Sequence, residues 1–148
     1  MNEPYLLLVE DRPKDELLIV RGLKKAGLPV PVVVARDGLQ AVEQLFPGDG
    51  AEAASCLPLL VLMDIKLPWL SGLDVLQRIR EHPATRCIPV VMLSSSDDAR
   101  DLRQTCRLGA NSYLRKSVSA DRLNGALQAL VTYWFEYHEQ VPANEPSS

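Results

Sequence analysis

The chain is predicted to be an α/β protein with a five-stranded parallel sheet and helices on both faces. Five short apolar runs of strand length alternate with segments of helical period along the sequence. Parallel strands need crossover connections, which are right-handed, and such connections place helices on both sides of the sheet. The 148 residues fit one domain, and 47% of them are hydrophobic, as in an ordinary globular core.

The predicted strands cover residues 5–9, 30–35, 59–63, 88–93 and 112–114. The first run is uniformly apolar, as expected for a strand that is buried on both faces. Pro29 and Pro31 flank the start of the second run. Because proline cannot donate a hydrogen bond to a neighbouring strand, they predict an edge position for that strand.

The helical segments carry start and stop signals. Pro13 suits a first helical turn, and Gly27 suits the end of that helix. Asp37, Ser71 and Ser119 are predicted N-caps of later helices, because their side chains can accept a hydrogen bond from a free backbone N–H. Residues 47–55 are predicted to form a loop, and residues 97–108 a polar helix. The apolar stripe predicted for the first helix consists of Leu17, Leu18, Val20, Leu23 and Ala26.

Composition excludes several classes of protein. The net charge of −3 gives no general attraction to nucleic acid or to an anionic membrane. No apolar stretch approaches the roughly 20 residues that a membrane span needs. The N-terminus lacks the basic region of a signal peptide. The three cysteines are odd in number and lack ligand spacing, so reduced thiols in a cytoplasmic protein are expected.

Functional side chains stand at the ends of four predicted strands. The pair Glu10 and Asp11 closes the first run, Asp64 the third and Ser94 the fourth, and Lys116 follows the fifth. The carboxyl ends of parallel strands lie on one edge of a sheet, where ligands of such folds bind. We therefore expect these side chains to converge there, although they are far apart in the sequence.

The residue types at this edge favour magnesium and phosphoryl chemistry. At about 4 Å, each pair of carboxylates repels by about 1 to 4 kcal/mol, and a hard divalent cation relieves that repulsion. Asp64 can act as a nucleophile toward phosphorus, while Lys116 and the Ser94 hydroxyl can bind phosphoryl oxygens. Each of these residues alone would more often be a helix cap or a solvated side chain. Their joint occurrence on successive strand ends favours the site.

Four motifs resemble the receiver domain of response regulators (CheY-like). They are LLVED at 7–11, LMDIKLP at 62–68, PVVMLS at 89–94 and ANSYLRK at 110–116. The resemblance covers about residues 4–138. It implies a flavodoxin-like, doubly wound sheet with strand order 2-1-3-4-5 and five helices. The receiver domain would then span residues 1–140, and residues 141–148 would form a flexible C-terminal tail.

The resemblance also implies roles for the clustered acids. Asp64 would accept a phosphoryl group from a phosphohistidine on a sensor histidine kinase. Mg²⁺ would be held by Asp11 and Asp64, by Glu10 through a water molecule, and by the backbone carbonyl of Lys66. The protein would promote its own phosphotransfer and dephosphorylation, and it would not be an enzyme that turns over a separate metabolite.

A switch is implied at the other two strand ends. Ser94 and Lys116 would bind the phosphoryl oxygens, and Tyr113 would turn inward when Ser94 moves. The chain departs from the family at Ser117, where receivers usually have a proline joined to the lysine by a cis peptide bond. A non-proline cis bond costs about 2.5 to 4 kcal/mol. We nevertheless expect the Lys116–Ser117 bond to be cis, because Lys116 must still reach Asp64.

The last helix predicts a partner surface. A helix from Ser119 to about residue 139 would be roughly 30 Å long and would overhang the sheet. Tyr133, Trp134 and Phe135 are consecutive and point about 100° apart, so one stripe cannot bury all three. Together with Pro142 and residues 67–68, they resemble the single-domain regulators of phytochrome-type kinases. That resemblance implies a homodimer through the fourth and fifth helices and the fifth strand, and a red-light-sensing histidine kinase as phosphodonor.

The expected function is that of a stand-alone, Mg²⁺-dependent response regulator. A relay that passes the phosphoryl group onward is an alternative. A haloacid-dehalogenase-type phosphatase also uses an aspartyl phosphate, but it needs a second aspartate where this chain has Lys66. A third alternative is a scaffold with the same fold that acts without phosphorylation. The intact set of acids, hydroxyl and lysine argues against it.

Overall fold

The computed structural model describes residues 3–95, 99–116 and 119–140. Five parallel strands form one sheet in the order β2-β1-β3-β4-β5, which confirms the predicted doubly wound fold and the edge position of β2. The strands are β1 Leu6–Val9, β2 Val32–Ala35, β3 Leu60–Asp64, β4 Val90–Ser94 and β5 Ser112–Arg115.

The helices are α1 Pro13–Lys25, α2 Gly38–Leu45, α3 Gly72–Glu81, α4 Ala99–Arg107 and α5 Ala120–Thr132. A π-helical turn, Tyr133–Tyr137, continues α5. Pro13 occupies the first turn of α1 as predicted. The predicted caps are also confirmed: Asp37 accepts from Gln40 N, Ser71 from Asp74 N and Ser119 from Arg122 N.

Alternate residues of the central strands enter two separate cores, because successive side chains of a strand point to opposite faces. One core lies under α2 and α3 and includes Leu7, Val9, Val61, Met63, Val90 and Met92. The other lies under α1 and α5 and includes Leu6, Leu8, Leu60, Leu62, Val91 and Leu93. Both faces of the sheet are therefore covered, and the strand ends remain for the site.

The predicted stripe of α1 was partly wrong. Leu17 is 50% exposed and Leu18 is 37% exposed, whereas Ile19 is fully buried. The reason is the close approach of α5: a Cβ on Gly22 would lie 2.5 Å from Leu127 Cδ1. The face of α1 that packs is therefore centred on Ile19, Gly22 and Leu23, and a glycine adds nothing to an apolar pattern.

Element bounds differ slightly from the predictions. The strands β3 and β4 run one residue further than predicted and end on Asp64 and Ser94 themselves. Strand β2 begins after Pro31. The last helical segment ends at Tyr137, where His138 N donates to Tyr133 O at 2.8 Å.

Some predictions fall outside the part of the chain that the structure describes. The start of the helix predicted from residue 97, the peptide bond to Ser117, and the tail at 141–148 lie outside the described residues. Within the described ranges, none of the helices is both long enough and apolar enough to cross a membrane.

Candidate functional site

The strand ends bring the predicted site residues together. Asp64 and Ser94 are the last residues of the neighbouring strands β3 and β4. Glu10 directly follows β1, and its backbone N–H donates to Ala35 O at 3.0 Å. Lys116 directly follows β5, and its backbone N–H donates to Ser94 O at 2.8 Å. Sheet hydrogen bonding thus continues up to the functional residues and fixes their backbones.

The ammonium group of Lys116 is the electrostatic centre of the site. Its Nζ lies 2.8 Å from Glu10 Oε1, 3.0 Å from Asp64 Oδ2 and 3.0 Å from Asp15 Oδ2. The Lys116 and Asp64 side chains are only 6% and 7% exposed. Because the group is buried, these charge-assisted hydrogen bonds are stronger than exposed ones.

Asp15 is a member of the site that sequence reasoning missed. It lies in the first turn of α1, and its side chain is partly exposed, with 26% of its surface accessible. No pattern in the sequence marks it, because an acid in the first turn of a helix is favoured by the helix dipole alone. Its contact with Lys116 adds a carboxylate that helps to hold the ammonium in position.

Three carboxylates fit a divalent cation. Glu10, Asp11 and Asp64 each offer an oxygen, and these oxygens lie within 4.8 Å of one another. Asp11 Oδ1 is buried and accepts no hydrogen bond from any described residue. A buried carboxylate oxygen that lacks a donor is costly unless a cation satisfies it. Oxygen donors of this kind suit Mg²⁺.

The loop after Asp64 closes on the same carboxylate. The backbone N–H of Lys66 donates to Asp64 Oδ1 at 3.3 Å. The Gly72 N–H donates to Ile65 O at 2.7 Å, so the start of α3 returns to the end of β3. The role predicted for the Lys66 carbonyl, as a metal ligand, stays a prediction.

The net effect of burial, hydrogen bonds and neighbouring charges is to raise the pKa values of both Glu10 and Lys116. The rise disfavours the charged form of Glu10 and favours the charged form of Lys116. Burial raises the pKa of Glu10 to about 7, with Asp64 adding to the rise and Lys116 opposing it. For Lys116, burial alone would lower the pKa, but the hydrogen bond that it donates to Glu10 and the charge of Asp64 raise it overall. The lysine is therefore a permanent cation, and the excess negative charge falls on the carboxylates.

In the metal-free protein, ionisation of Glu10 should weaken folding as the pH rises. Its pKa is about 7 when folded, against 4.5 for the ordinary group. Between those values the folded state binds more protons, so this contribution to the free energy of unfolding is complete below pH 4.5 and is lost as the pH rises through about 7. The slope cannot exceed about 1.4 kcal/mol per pH unit.

Urea denaturation of the wild type and of Glu10→Gln, in a chelator and across this pH range, checks the expectation. The glutamine cannot titrate, so it serves as the matched reference for every other ionisable group. The difference in stability, wild type minus variant, should fall as the pH rises. A difference that is flat or rises would contradict the shifted pKa.

Ser94 and Tyr113 occupy positions that suit a switch. Ser94 is 1% exposed at the end of β4. Tyr113 lies on β5 beside Met92, is half-buried, and packs against the core under α2 and α3. Their coupled movement stays a prediction.

The C-terminal aromatic residues lie after α5, which leads away from the edge that carries Asp64. Tyr133 is 52% exposed, whereas Trp134 and Phe135 are partly buried against the core under α1 and α5. The Tyr133 and Trp134 rings form an edge-to-face pair with centroids 5.0 Å apart. The prediction that all three cannot be buried is confirmed, but the exposed member is Tyr133; the dimer role stays a prediction.

One edge of this open sheet gathers three acids, a lysine and a buried hydroxyl at the strand ends. Residues 6–128 match the response regulator receiver domain, and the chain belongs to this family. The predicted resemblance is therefore confirmed. The family is one of two-component signalling proteins and is not a family of catalytic enzymes.

Individual relatives show which receivers the chain is similar to. It is 34% identical over 138 residues to the probable methanogenesis regulatory protein FilR2 of Methanothrix harundinacea, covering 93% of this chain and 88% of the relative. It is 35% identical over 136 residues to response regulator Rcp1 of Synechocystis sp., covering 91% of this chain and 92% of the relative.

Two solved structures extend the comparison. The Mn²⁺-bound form of Rcp1 has a TM-score of 0.82 at 31% identity and covers 94% of this chain and 99% of that one. The phosphorylated cyanobacterial phytochrome response regulator RcpA has a TM-score of 0.82 at 32% identity and covers 98% of this chain and 99% of that one. The similarity to regulators of the phytochrome class is therefore found in both sequence and fold.

Proposed function

We propose that Asp64 accepts a phosphoryl group from a phosphohistidine on a sensor histidine kinase, in a Mg²⁺-dependent reaction. The observation that carries the proposal is the convergence on Asp64 of a buried lysine and two further acids, Glu10 and Asp11. Membership of the receiver family supports it. The metal-bound and phosphorylated relatives do so as well.

In the transfer step, a carboxylate oxygen of Asp64 attacks phosphorus. The bond between phosphorus and the donor imidazole nitrogen breaks, and its electron pair returns to that nitrogen, which takes up a proton. An acyl phosphate forms on Asp64. In the later hydrolysis, water attacks phosphorus and the bond between phosphorus and the Asp64 oxygen breaks. Inorganic phosphate leaves, and the electron pair of that bond restores the carboxylate.

The residues of this chain offset the charge that arrives. A phosphoryl group adds about −1.5 to −2 charges at the edge of the sheet. Lys116 already lies 3.0 Å from Asp64 Oδ2, and Asp15 helps to orient it. A divalent cation bound by Glu10, Asp11 and Asp64 would supply the further positive charge that draws the phosphoryl group to the acids. Ser94 would donate a hydrogen bond to a phosphoryl oxygen.

Treatment with acetyl phosphate tests the chemistry without a kinase. With Mg²⁺ we expect the intact mass to rise by one phosphoryl group. With a chelator in place of Mg²⁺ we expect little or no adduct, because the acids then repel both each other and the donor. Equal labelling with and without Mg²⁺ would contradict the proposed role of Glu10, Asp11 and Asp64 in binding the cation.

We propose a phytochrome-type histidine kinase as the natural phosphodonor, because Rcp1 and RcpA are the kind of regulator to which this chain is similar. We also propose a homodimer through α4, β5 and α5, with Tyr133, Trp134 and Phe135 in its interface. The exposure of Tyr133 supports that surface. The first proposal is tested by measuring whether red and far-red light change the rate of phosphoryl transfer from such a kinase. The second is tested by measuring the oligomeric state by sedimentation velocity.

The remaining expectations stay predictions. They are the cytoplasmic location, the absence of nucleic-acid binding, and the choice between a final output and a relay. A phosphatase of the haloacid-dehalogenase type has no support here, because such an enzyme needs a second aspartate at the position of Lys66. Transfer from phosphorylated Asp64 to a histidine phosphotransfer domain distinguishes the relay.

A further inference from the structure

Trp69 adopts an unusual backbone conformation in the loop between β3 and α3. Leu70 N donates to Pro68 O at 2.8 Å, which closes a three-residue γ-turn around Trp69. The φ angle of Trp69 is 71°, and within the described residues it is the one positive value outside glycine. A γ-turn with positive φ is the rare and strained form, and a bulky side chain there is an outlier.

Packing within this chain does not explain the strain. The Trp69 side chain is 80% exposed, so it gains little from burial. Glycine would adopt the same turn without the steric penalty of a Cβ. A strained residue at the edge of a functional site suggests that the conformation serves the function of that site. The turn holds a large aromatic ring out in solvent.

The loop that carries Trp69 begins and ends at the proposed phosphoacceptor, Asp64. The loop starts at Asp64 and returns to it, because a Cβ on Gly72 would lie 2.1 Å from Asp64 O. On its other side the loop packs against the start of α2, where a Cβ on Gly38 would lie 2.3 Å from Leu70 O. Two close backbone contacts therefore fix the base of the turn that carries the ring.

We propose that Trp69 is a docking anchor for the protein that carries the phosphohistidine, with an apolar pocket beside that histidine as its receptor. The proposal rests on the proposed function. A protein donor must bring phosphorus to Asp64, so its surface must cover the loops around that edge, and the loop of Trp69 begins and ends there. Tryptophan offers about 150 to 250 Å² of rigid contact area and is enriched among binding hot spots.

A small donor separates docking from chemistry. Acetyl phosphate reaches Asp64 without a protein surface, so its reaction should not depend on Trp69. The protein donor is chosen by phosphotransfer profiling. Purified, autophosphorylated histidine kinases of the source organism are mixed with the wild type, and the kinase that transfers its phosphoryl group fastest is used.

Three variants are compared, namely Trp69→Gly, Trp69→Phe and Tyr137→Ala. Tyr137 is an aromatic residue that is 71% exposed beyond the end of α5, and it serves as the matched control.

We expect Trp69→Gly to slow transfer from the kinase by about tenfold or more, mainly through KM, as for loss of a hot-spot anchor. Labelling by acetyl phosphate should stay within about twofold of the wild type, since Asp64 is untouched. The melting temperature of Trp69→Gly should rise, because glycine relieves the positive φ. Trp69→Phe keeps an aromatic anchor and should retain most of the transfer, and Tyr137→Ala should retain all of it.

Several results would overturn the proposal. One is an unchanged rate of transfer from the kinase to Trp69→Gly. Another is a loss of rate in Trp69→Gly that is equal with the kinase and with acetyl phosphate. A third is a loss of transfer from the kinase in Tyr137→Ala that equals the loss in Trp69→Gly. Labelling by acetyl phosphate but by none of the kinases would also overturn it, because the chain would then have no protein donor to dock. Failure of the wild type to react with any donor would instead refute the proposed function itself.

Discussion

Asp64→Asn should abolish phosphorylation completely. With acetyl phosphate and Mg²⁺, the wild type should gain the mass of one phosphoryl group, and the variant should gain none. The amide is nearly the same size as the carboxylate, but it lacks the nucleophilic oxygen that forms an acyl phosphate. The variant should fold at least as well as the wild type, because one negative charge leaves a crowded, buried acidic cluster.

Asp37→Asn is the matched control for this prediction. Asp37 follows β2 at the same edge of the sheet, and it caps α2 by accepting a hydrogen bond from Gln40 N at 2.7 Å. Asparagine caps helices about as well as aspartate, so the fold should be unaffected. The control should be phosphorylated like the wild type. An adduct that persists in Asp64→Asn, or that disappears in both variants, would contradict the assignment of Asp64.

Gly72→Ala should have the largest effect on stability. The added Cβ would lie 2.1 Å from the backbone oxygen of Asp64 and 3.0 Å from Ile65 Cα. Backbone atoms cannot move aside as a flexible side chain can, so α3 must shift and its hydrogen bond from Gly72 N to Ile65 O must weaken. We expect a loss of about 3 kcal/mol in the free energy of unfolding, measured by urea denaturation.

Gly125→Ala provides the opposite control within the same protein. Gly125 lies in the interior of α5, and a Cβ there would meet no atom within 4 Å. Alanine has the higher helix propensity, so this variant should gain about 0.5 to 1 kcal/mol. If both glycine variants change stability equally, the close approach of α3 to Asp64 is wrong. Gly72→Ala should also slow phosphorylation, because the shift displaces the loop that holds Asp64.

The fold could be predicted because its signals are local. Apolar runs, proline positions and capping residues each act within a few residues, and Asp37, Ser71 and Ser119 cap their helices as expected. The core site could also be predicted, because the strand ends of a parallel sheet must meet at one edge. Glu10, Asp64 and Lys116 are in direct contact there, although 106 residues separate Glu10 from Lys116.

Other features depend on packing between distant elements and leave little trace in the sequence. The buried face of α1 is set by the fit of Gly22 against Leu127 of α5. Asp15 joins the site because the side chain of Lys116, 101 residues away, reaches it, which the helical pattern alone does not show. Trp69 takes a positive φ that tryptophan rarely adopts, so no residue preference could indicate it.

The measurement that tests the central claim most directly is the identity of the residue that carries the phosphoryl group. The protein is treated with acetyl phosphate and Mg²⁺, reduced with borohydride, and digested for tandem mass spectrometry. Borohydride converts an aspartyl phosphate to homoserine and leaves free carboxylates unchanged. We expect homoserine at position 64 alone, and none when Mg²⁺ is replaced by a chelator. Homoserine at another position, or an adduct that resists borohydride, would contradict the account.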